Sequence, residues 1–271
     1  MKLKRLISNI ILGATIVTLS LGVSGCSKEN TSESTLNKET LIVGMDDAFA
    51  PMGFKDENGE ITGFDVELAK AICEKLNKKV VFQPIDWTMK ETELKSGNID
   101  LIWNGYTINE ERKKKVDFSV PYLKNKQVIV TLNNSDIKAK KDLEGKKVGA
   151  QNESSAISAM EKEEDLYNSF NGGSAITFED NNQALMDLEA GRIDAVVADE
   201  ILVRYYIRLK GEDKFNILDD NFGEEEYGVG IRKGDTEMVD AFNKAYKELQ
   251  DDGTLAQIST KWFDADITIK E

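Results

Sequence analysis

The stretch from Asn104 to Tyr122 carries the side chains best suited to bind a small charged molecule. It reads NGYTINEERKKKVDFSVPY. Arg112 follows a strand-like run and Thr107, and a planar guanidinium in that position can hold a carboxylate through two parallel hydrogen bonds. Thr107 adds a hydroxyl, and backbone N–H groups of the turn add further donors. The alternative interpretation of EERKKK is a solvated run of charge.

The composition excludes several kinds of catalytic and metal site. The 271 residues contain no histidine, so a Ser-His-Asp triad, a Cys-His dyad and a histidine-ligated zinc site are excluded. Two cysteines are too few for a four-cysteine zinc site or a disulfide framework. Asp and Glu (49) outnumber Lys and Arg (35), and the net charge of −14 argues against a nucleic-acid partner. We therefore expect no metal, no cofactor and no nucleic acid.

The first 25 residues have the order of an export signal. Residues 1–25 begin with basic residues, contain no acid, and continue with an apolar run up to the small residues before Cys26. The ending resembles the bacterial lipoprotein signal, in which the cysteine becomes the acylated first residue. We therefore expect Cys26 to be the lipid attachment site, with palmitate among its acyl chains, and polar residues 26–38 to be a flexible tether. The alternative is a transmembrane anchor, for which the apolar run is marginally short.

The chain after the tether alternates between strand-like and helix-like segments. Thr40–Met45 is a short apolar run typical of a buried strand, and Phe64–Leu76 is amphipathic with the period of a helix. Cys73 lies on the apolar face of that helix, so we expect a core thiol. Lys79–Pro84 and Ile99–Trp103 read as further strands. This order predicts an α/β fold with a parallel sheet flanked by helices.

The chain also repeats itself at a distance of about 95–105 residues, which is too long for a solenoid. Residues 94–105 (LKSGNIDLIWNG) and 188–199 (LEAGRIDAVVAD) each read as a helix end, a glycine cap and a strand. The pattern predicts two similar α/β lobes, in which ligands bind beyond the carboxyl ends of the strands. The polar residues at the predicted strand ends are Asp46-Asp47, Asn104-Gly105, Gln151-Asn152 and Asp199-Glu200. We expect them to face one cleft.

Several segments together resemble the extracellular solute-binding proteins of family 3, which bind polar amino acids for ABC importers. The matching segments are GMDDAFAPMGF (44–54), GFDVELAKAI (63–72), SGNIDLIWNGYTINEERKKKVDFSVPY (96–122), AGRIDAVVADE (190–200) and GTLAQISTKWF (253–263). The resemblance implies a two-lobed fold of the type II periplasmic-binding-protein kind, with two crossover hinge segments. It also implies a monomer that works with an ABC transporter permease.

The resemblance also implies lobe boundaries. Lobe 1 is expected to comprise residues 39–123 and 228–271, and lobe 2 residues 128–223. The crossover segments are expected near Leu123–Gln127 and Glu224–Tyr227.

The family pattern implies how the two charges of an amino acid are held. Arg112 is expected to pair with the α-carboxylate, helped by the N–H and hydroxyl of Thr107. Gly105 is expected to offer its carbonyl to the α-ammonium. Asp199, from the other lobe, is expected to be the counter-ion of that ammonium. A ligand that bridges the two lobes favours their closed arrangement over the open one.

The same pattern implies contacts to the rest of the ligand. Phe49 and Trp87 are expected to sandwich its side chain, with Asp46 and Asn104 near the far end. The second-lobe loop is expected to close on the carboxylate through Gln151, Ser154 and Ser155. This loop has Glu153 where the family usually has glycine, and Glu91 stands at a usually apolar position, either on the surface or near Asn104.

The acids around the side-chain end predict the kind of ligand. Asp46, Asp47, Glu91 and Glu153 disfavour acidic ligands through like charge. We rank cystine or a cationic amino acid first and glutamine next, bound by a lipid-anchored protein on the extracellular face of the cell membrane. The alternatives are a surface adhesin and a cyclohexadienyl-dehydratase-like enzyme on the same fold. A general acid needs a raised pKa, and no cleft carboxylate has an evident apolar pocket, so we expect no enzyme.

Overall fold

The computed structural model describes residues 33–270. Glu33–Glu271 clusters as one compact unit with its own hydrophobic core. The predicted signal, the lipid attachment site Cys26 and most of the predicted tether lie outside the described residues. Within the described part of the chain, no helix has both the length and the apolar character needed to cross a bilayer.

The described residues form thirteen strands and nine α-helices. The strands are β1 (Thr40–Met45), β2 (Ala48–Phe49), β3 (Gly53–Lys55), β4 (Ile61–Thr62), β5 (Lys79–Pro84), β6 (Leu101–Ile102), β7 (Val116–Phe118), β8 (Leu123–Leu132), β9 (Val148–Gln151), β10 (Ile176–Phe178), β11 (Ala195–Asp199), β12 (Phe215–Tyr227) and β13 (Gly230–Arg232). The helices are α1 (Phe64–Lys75), α2 (Lys90–Ser96), α3 (Glu110–Lys113), α4 (Ser155–Glu161), α5 (Glu164–Asn168), α6 (Asn181–Glu189), α7 (Glu200–Lys210), α8 (Thr236–Asp251) and α9 (Thr254–Phe263).

Two five-stranded sheets form the framework. The first has the order β5-β1-β6-β13-β7, and the second has the order β10-β9-β11-β8-β12. In each sheet three strands are parallel (β5, β1 and β6; β10, β9 and β11), and the other strands pair antiparallel. A parallel sheet brings the carboxyl ends of its strands to one edge, so the loops after β1, β6, β9 and β11 are placed to build a site.

The predicted repeat appears as two helix–turn–strand units. In the first unit α2 leads through Gly97 to β6, and in the second α6 leads through Gly191 to β11. Both glycines have positive φ, 78° and 69°. This left-handed conformation suits glycine because it has no Cβ to clash, which explains the glycine shared by the two units. The strand predicted at Ile99–Trp103 is shorter than expected and spans only Leu101–Ile102.

The two crossovers run side by side as one antiparallel ribbon. β8 pairs with β12 from Leu123 opposite Tyr227 to Leu132 opposite Phe215, with register shifts between these ends. The predicted crossover segments are therefore the adjoining ends of two paired strands, with Asn125 opposite Glu225. The first five-stranded sheet is built from the strands of predicted lobe 1 and the second from those of predicted lobe 2 and the crossovers, while the lobe boundaries themselves stay a prediction.

Candidate functional site

A small cavity lies where the loops after the parallel strands meet. The space between atoms there amounts to about 270 Å³, part of which is open to solvent. Its lining consists of Asp46, Phe49, Trp87, Asn104, Gly105, Arg112, Gln151, Ser154, Ser155 and Asp199. These are ten of the eleven residues predicted to bind a ligand, and the eleventh, Thr107, lies beside the cavity. The fold thus brings the predicted residues together, and their roles toward a ligand stay a prediction.

Arg112 is held rigidly with its charge inside the site. It lies on α3, whose N-terminus is capped by the Asn109 side chain accepting the Arg112 N–H at 2.8 Å. Nη1 donates to the carbonyl of Thr107 at 3.1 Å, and the guanidinium lies 4.4 Å from the ring centre of Tyr106. Only 6% of Arg112 is exposed, and no carboxylate within residues 33–270 lies at ion-pair distance from it. A buried guanidinium without an anionic partner is well placed to take a carboxylate.

Asp199 supplies negative charge on the other side of the cavity. It ends β11 and is 4% exposed. Its Oδ1 accepts from Asn125 Nδ2 and from the Tyr227 hydroxyl, both at 2.6 Å. Burial, followed by the nearby charge of Glu225, raises the pKa of Asp199 well above its usual range. A cation beside Asp199 would restore its ionised form.

Glu225 joins both sheets and both crossovers, and it was not predicted as a site residue. Its Oε1 accepts from Thr107 Oγ1 at 2.9 Å, Asn125 Nδ2 at 2.7 Å and Gln127 Nε2 at 2.8 Å. The Thr107 oxygen also lies 3.0 Å from Ser155 Oγ. The hydroxyl of Thr107 is therefore bonded to the hinge, whereas its carbonyl supports Arg112. The pairing of the crossover strands, which brings Glu225 here, left no local signal in the sequence.

Asp46 and Asn104 form the end of the cavity predicted to face a ligand side chain. Asp46 Oδ2 accepts from Gln151 Nε2 at 2.7 Å, and Oδ1 accepts from the Ala48 N–H at 2.9 Å. Burial raises the pKa of Asp46 to about 6. Asn104 donates to the Asp46 carbonyl at 2.6 Å, while its Oδ1 is buried without a hydrogen-bond partner among the described residues. This end of the cavity thus offers oxygen acceptors.

The raised pKa values of Asp46 and Asp199 correct one sequence expectation. We expected no cleft carboxylate to have surroundings that raise its pKa. The fold removes both carboxylates from water, and desolvation penalises the charged form. Asp46 follows an apolar strand and Asp199 ends one. The groups that cover them, such as Gln151 at Asp46 and Tyr227 at Asp199, come from distant parts of the chain, so the burial was not visible in the local sequence.

The aromatic side of the cavity includes a buried cation that sequence reasoning missed. Trp87 lies edge-on to Tyr106, with ring centres 5.9 Å apart. Lys90 is 1% exposed, and its Nζ lies 5.2 Å from the Trp87 ring centre. Nζ donates to the carbonyls of Trp87 at 3.0 Å and Glu153 at 3.1 Å. Burial, followed by the charge of Arg112, lowers the pKa of Lys90 to about 8.

Glu91, the neighbour of Lys90, was expected either on the surface or near Asn104. The structure places it between these two positions. Its Oε1 accepts from the Tyr106 hydroxyl at 3.0 Å, and its side chain is 15% exposed. Glu91 is therefore mostly buried behind Tyr106 and does not line the cavity.

Gly105 is held where a side chain would not fit. Its φ is 59°, and a Cβ there would lie 2.8 Å from the Phe49 ring. Its N–H donates to Asp65 Oδ2 at 2.7 Å, which also accepts from the Tyr122 hydroxyl at 3.0 Å. These bonds fix the turn that carries Gly105 into the cavity lining.

The loop after β9 closes the cavity from the second sheet. Glu153 has a φ of 55°, the left-handed conformation that favours glycine. This conformation explains why glycine suits the position and why a residue with a Cβ is strained there. The side chain of Glu153 is exposed, and its carbonyl accepts from Arg112 Nη2 at 3.4 Å as well as from Lys90. Ser154 Oγ is buried without a partner among the described residues.

Residues 41–265 match the profile of the bacterial extracellular solute-binding proteins of family 3. The L-cystine-binding protein TcyJ of Escherichia coli (strain K12) is 36% identical over 274 residues, covering 99% of this chain and 100% of that protein. The arginine-binding extracellular protein ArtP of Bacillus subtilis (strain 168) is 34% identical over 257 residues, covering 94% of this chain and 96% of that protein.

A solved structure confirms the expected two-lobed fold. The substrate-binding protein of an ABC uptake transporter from Streptococcus pneumoniae, solved with bound histidine, has a TM-score of 0.85 and 40% identity. The match covers 90% of this chain and 100% of that one. With its two sheets, its crossover ribbon and a profile match over residues 41–265, the chain belongs to the bacterial extracellular solute-binding proteins of family 3.

Proposed function

We propose that the protein binds one free polar amino acid in the cavity between its lobes and delivers it to the permease of an ABC importer. The observation that carries this proposal is the placement of Arg112 and Asp199 at one cavity, with Arg112 on α3 beside the first sheet and Asp199 at the end of β11 in the second. A zwitterion needs both charges matched once it leaves water, because an unpaired buried charge is costly. Arg112 takes the carboxylate and Asp199 takes the ammonium.

The far end of the cavity supports a ligand side chain with hydrogen-bond donors. Asp46 and the unpartnered Oδ1 of Asn104 are acceptors, and Arg112 is the one basic residue in the lining formed by the described residues. We therefore rank cystine or a cationic amino acid first and glutamine next. The names of TcyJ and ArtP, which bind cystine and arginine, support this order.

Thermal unfolding tests the binding proposal. Residues 27–271 are unfolded and refolded to remove carried-over ligand, then heated with each of the twenty amino acids, ornithine and cystine. A ligand at 100 times its Kd adds about 2.7 kcal/mol to the free energy of unfolding, so a true ligand raises the Tm by several degrees. If none of these compounds raises the Tm, the proposal is wrong.

We further propose that Cys26 is acylated and holds a monomer on the extracellular face of the cell membrane. The order of residues 1–25, with small residues just before Cys26, supports this. One acyl chain binds a bilayer only weakly, so stable anchoring needs more than one. When the chain is expressed in a bacterium fed labelled palmitate, it should carry the label, and its Cys26→Ser variant should not. An unlabelled unchanged chain would contradict the anchor.

A second candidate function is dehydration of a small carboxylic acid in the same cavity. The raised pKa of Asp46 favours it, since a general acid must hold a proton near neutral pH. Arg112 and Asp199 match the two charges of a zwitterion, which favours transport instead. We propose that the protein catalyses no reaction. Incubation with prephenate or arogenate should give no product, whereas turnover that is lost in Asp46→Asn would support the enzyme.

A further inference from the structure

Two carboxylates meet at the hinge behind the cavity. Asp199 Oδ1 and Glu225 Oε1 accept from the same nitrogen, Asn125 Nδ2, at 2.6 and 2.7 Å. Asp199 ends β11 and Glu225 lies on β12, directly opposite Asn125 on β8. The sheet register therefore fixes the two acids beside one another.

The groups around this pair are mostly neutral. The other donors to the two acids are Tyr227, Gln127, Thr107 and, at 3.5 Å, the hydroxyl of Ser155, and none of these carries a positive charge. Within residues 33–270, no lysine or arginine lies at ion-pair distance from either acid. Arg112 faces Asp199 from α3 and favours its ionised form, as a smaller effect than burial and the charge of Glu225.

Lysines do occur on the solvent side of Glu225. Lys113, Lys124 and Lys126 line a surface groove that Glu225 also borders. The acids Glu200, Glu224 and Glu226 line the same groove. Lys113 pairs with Glu110 at 2.8 Å, and Lys126 lies 3.7 Å from Glu200. These lysines therefore act on the negative charge of the Asp199–Glu225 pair only from beyond ion-pair distance. Two carboxylates sharing one partly buried site favour a state in which a proton stays on the pair.

We propose that the Asp199–Glu225 pair holds one proton in the ligand-free site and releases it when the ammonium of an amino acid arrives, so that binding is coupled to proton release. This inference rests on the proposed function, which places the ammonium at Asp199. The ammonium keeps its own three protons and donates one hydrogen bond to the Asp199 carboxylate. The displaced proton passes to the buffer, and no other bond forms or breaks.

Coupling of this kind makes affinity depend on pH. Since a proton must leave for the amino acid to bind, affinity rises with pH over the range in which the free pair is protonated. A release of one proton corresponds to a tenfold change in affinity for each pH unit.

The test is calorimetric titration of residues 27–271 at pH 7 in phosphate and in Tris, which differ in ionisation enthalpy. The probes are L-arginine, L-lysine, L-glutamine and L-cystine. For a probe that binds, the dependence of the apparent enthalpy on the buffer gives the number of protons released, and we expect about one. Glu225→Gln keeps a hydrogen-bond acceptor but removes one of the two negative charges, while Asp199 stays buried, so the release should fall below that of the unchanged chain. The matched control is Glu226→Gln, an exposed neighbour, which should release as much as the unchanged chain.

The outcomes separate this inference from the proposed function. If no probe binds, the proposed function is wrong, and this inference is wrong as well. If a probe binds with the same enthalpy in both buffers, only the inference is overturned. An undiminished release in Glu225→Gln would assign the proton to Asp199 alone or to another group, such as Asp46, and would also overturn it.

A second measurement needs no variant. Infrared difference spectra of the unchanged protein should show that the carbonyl band of a protonated carboxylic acid is lost when the probe binds. Absence of that loss would contradict the inference even if Glu225→Gln failed to fold.

Discussion

Glu153 has a backbone conformation that is unfavourable for a residue with a side chain. With φ at 55°, it adopts a conformation that costs an ordinary residue about 1–2 kcal/mol. Because its side chain is exposed and its carbonyl makes the contacts, the side chain can be removed without loss of a hydrogen bond. Glu153→Gly should raise the free energy of unfolding by about 0.5–1 kcal/mol, measured by urea denaturation, after the entropy cost of glycine is subtracted.

Asn77 offers a matched control for this substitution. It also has a φ of 55°, but asparagine enters the left-handed region more readily than glutamate. Asn77→Gly should therefore gain less stability than Glu153→Gly. An equal or larger gain at Asn77 would contradict the explanation from backbone strain.

Asp46 gives a prediction for pH dependence. Burial raises its pKa to about 6 in the ligand-free site, so the carboxylate is ionised above pH 6 and protonated below it. A cationic ligand side chain needs the ionised form. The affinity for L-arginine should therefore fall by about tenfold per pH unit below pH 6, beyond any fall seen for L-glutamine. Asp46→Asn should remove this extra fall, and titrations from pH 7 to 5 in which it persists would rule out Asp46 as its source.

At the scale of single residues, sequence reasoning found the side chains that follow strands and missed those that arrive from elsewhere. Asp199 is the last residue of an apolar strand, and Arg112 follows another apolar strand after a polar turn, so both belong to the edge where an α/β fold builds its sites. Glu225 reaches the site only because β12 pairs with β8, and Lys90 only because α2 turns its first residue inward behind Trp87. Neither contact has a signature in the local sequence.

Among the helices, α1 shows how a hydrophobic period predicts packing. The structure places it at Phe64–Lys75, within one residue of its predicted end, and Cys73 lies on its buried face with 1% exposed. The helix forms because its apolar residues recur at helical spacing and cover the first sheet. The short strand β6 was predicted too long because its apolar flanks, Ile99 and Trp103, are buried without pairing in the ladder.

Cys73 provides a test of that packing. Burial raises the pKa of its thiol to about 12, and only the thiolate is reactive. A chain of residues 27–271 retains Cys73 as its single cysteine. We expect a thiol reagent at pH 8 to leave Cys73 unmodified in the folded protein and to label it fully in guanidinium chloride, as measured by mass spectrometry. Rapid labelling of the folded protein would contradict the placement of α1.

The paired crossovers could be placed from the family pattern but not from the residues alone. Their pairing joins segments about a hundred positions apart along the chain, such as Leu123 and Tyr227. Such contacts depend on the whole topology rather than on local propensity.

At the scale of the whole molecule, hydrogen bonds join the two predicted lobes in a closed arrangement. Gln151 donates to Asp46, and Asn182 on α6 donates to the Ala48 carbonyl at 3.0 Å. Bonds that exist only when the lobes are closed add to affinity, because a ligand that bridges the lobes selects that arrangement.

Asn182 tests this contribution from outside the cavity. Asn182→Ala removes one such bond and should weaken amino-acid binding by about 2- to 10-fold. Small-angle X-ray scattering should show a larger radius of gyration for the free variant. The matched control is Gln183→Ala, since Gln183 is exposed and bonds to Asp180 at the end of its own helix. If both variants bind as tightly as the unchanged chain, the Asn182 bond does not contribute to closure.

One calorimetric titration tests most directly the proposed clamp, in which Arg112 and Asp199 hold the two charges of one amino acid. Residues 27–271, refolded free of ligand, are titrated with the amino acid that most raises the Tm, alongside Arg112→Ala and the exposed control Arg192→Ala. Removing Arg112 leaves a buried carboxylate unpaired, so we expect a loss of about 2–5 kcal/mol, or about 30- to 5,000-fold in Kd. Arg192→Ala should bind like the unchanged chain, because Arg192 is exposed and pairs with Asp187. Undiminished binding by Arg112→Ala would contradict the clamp.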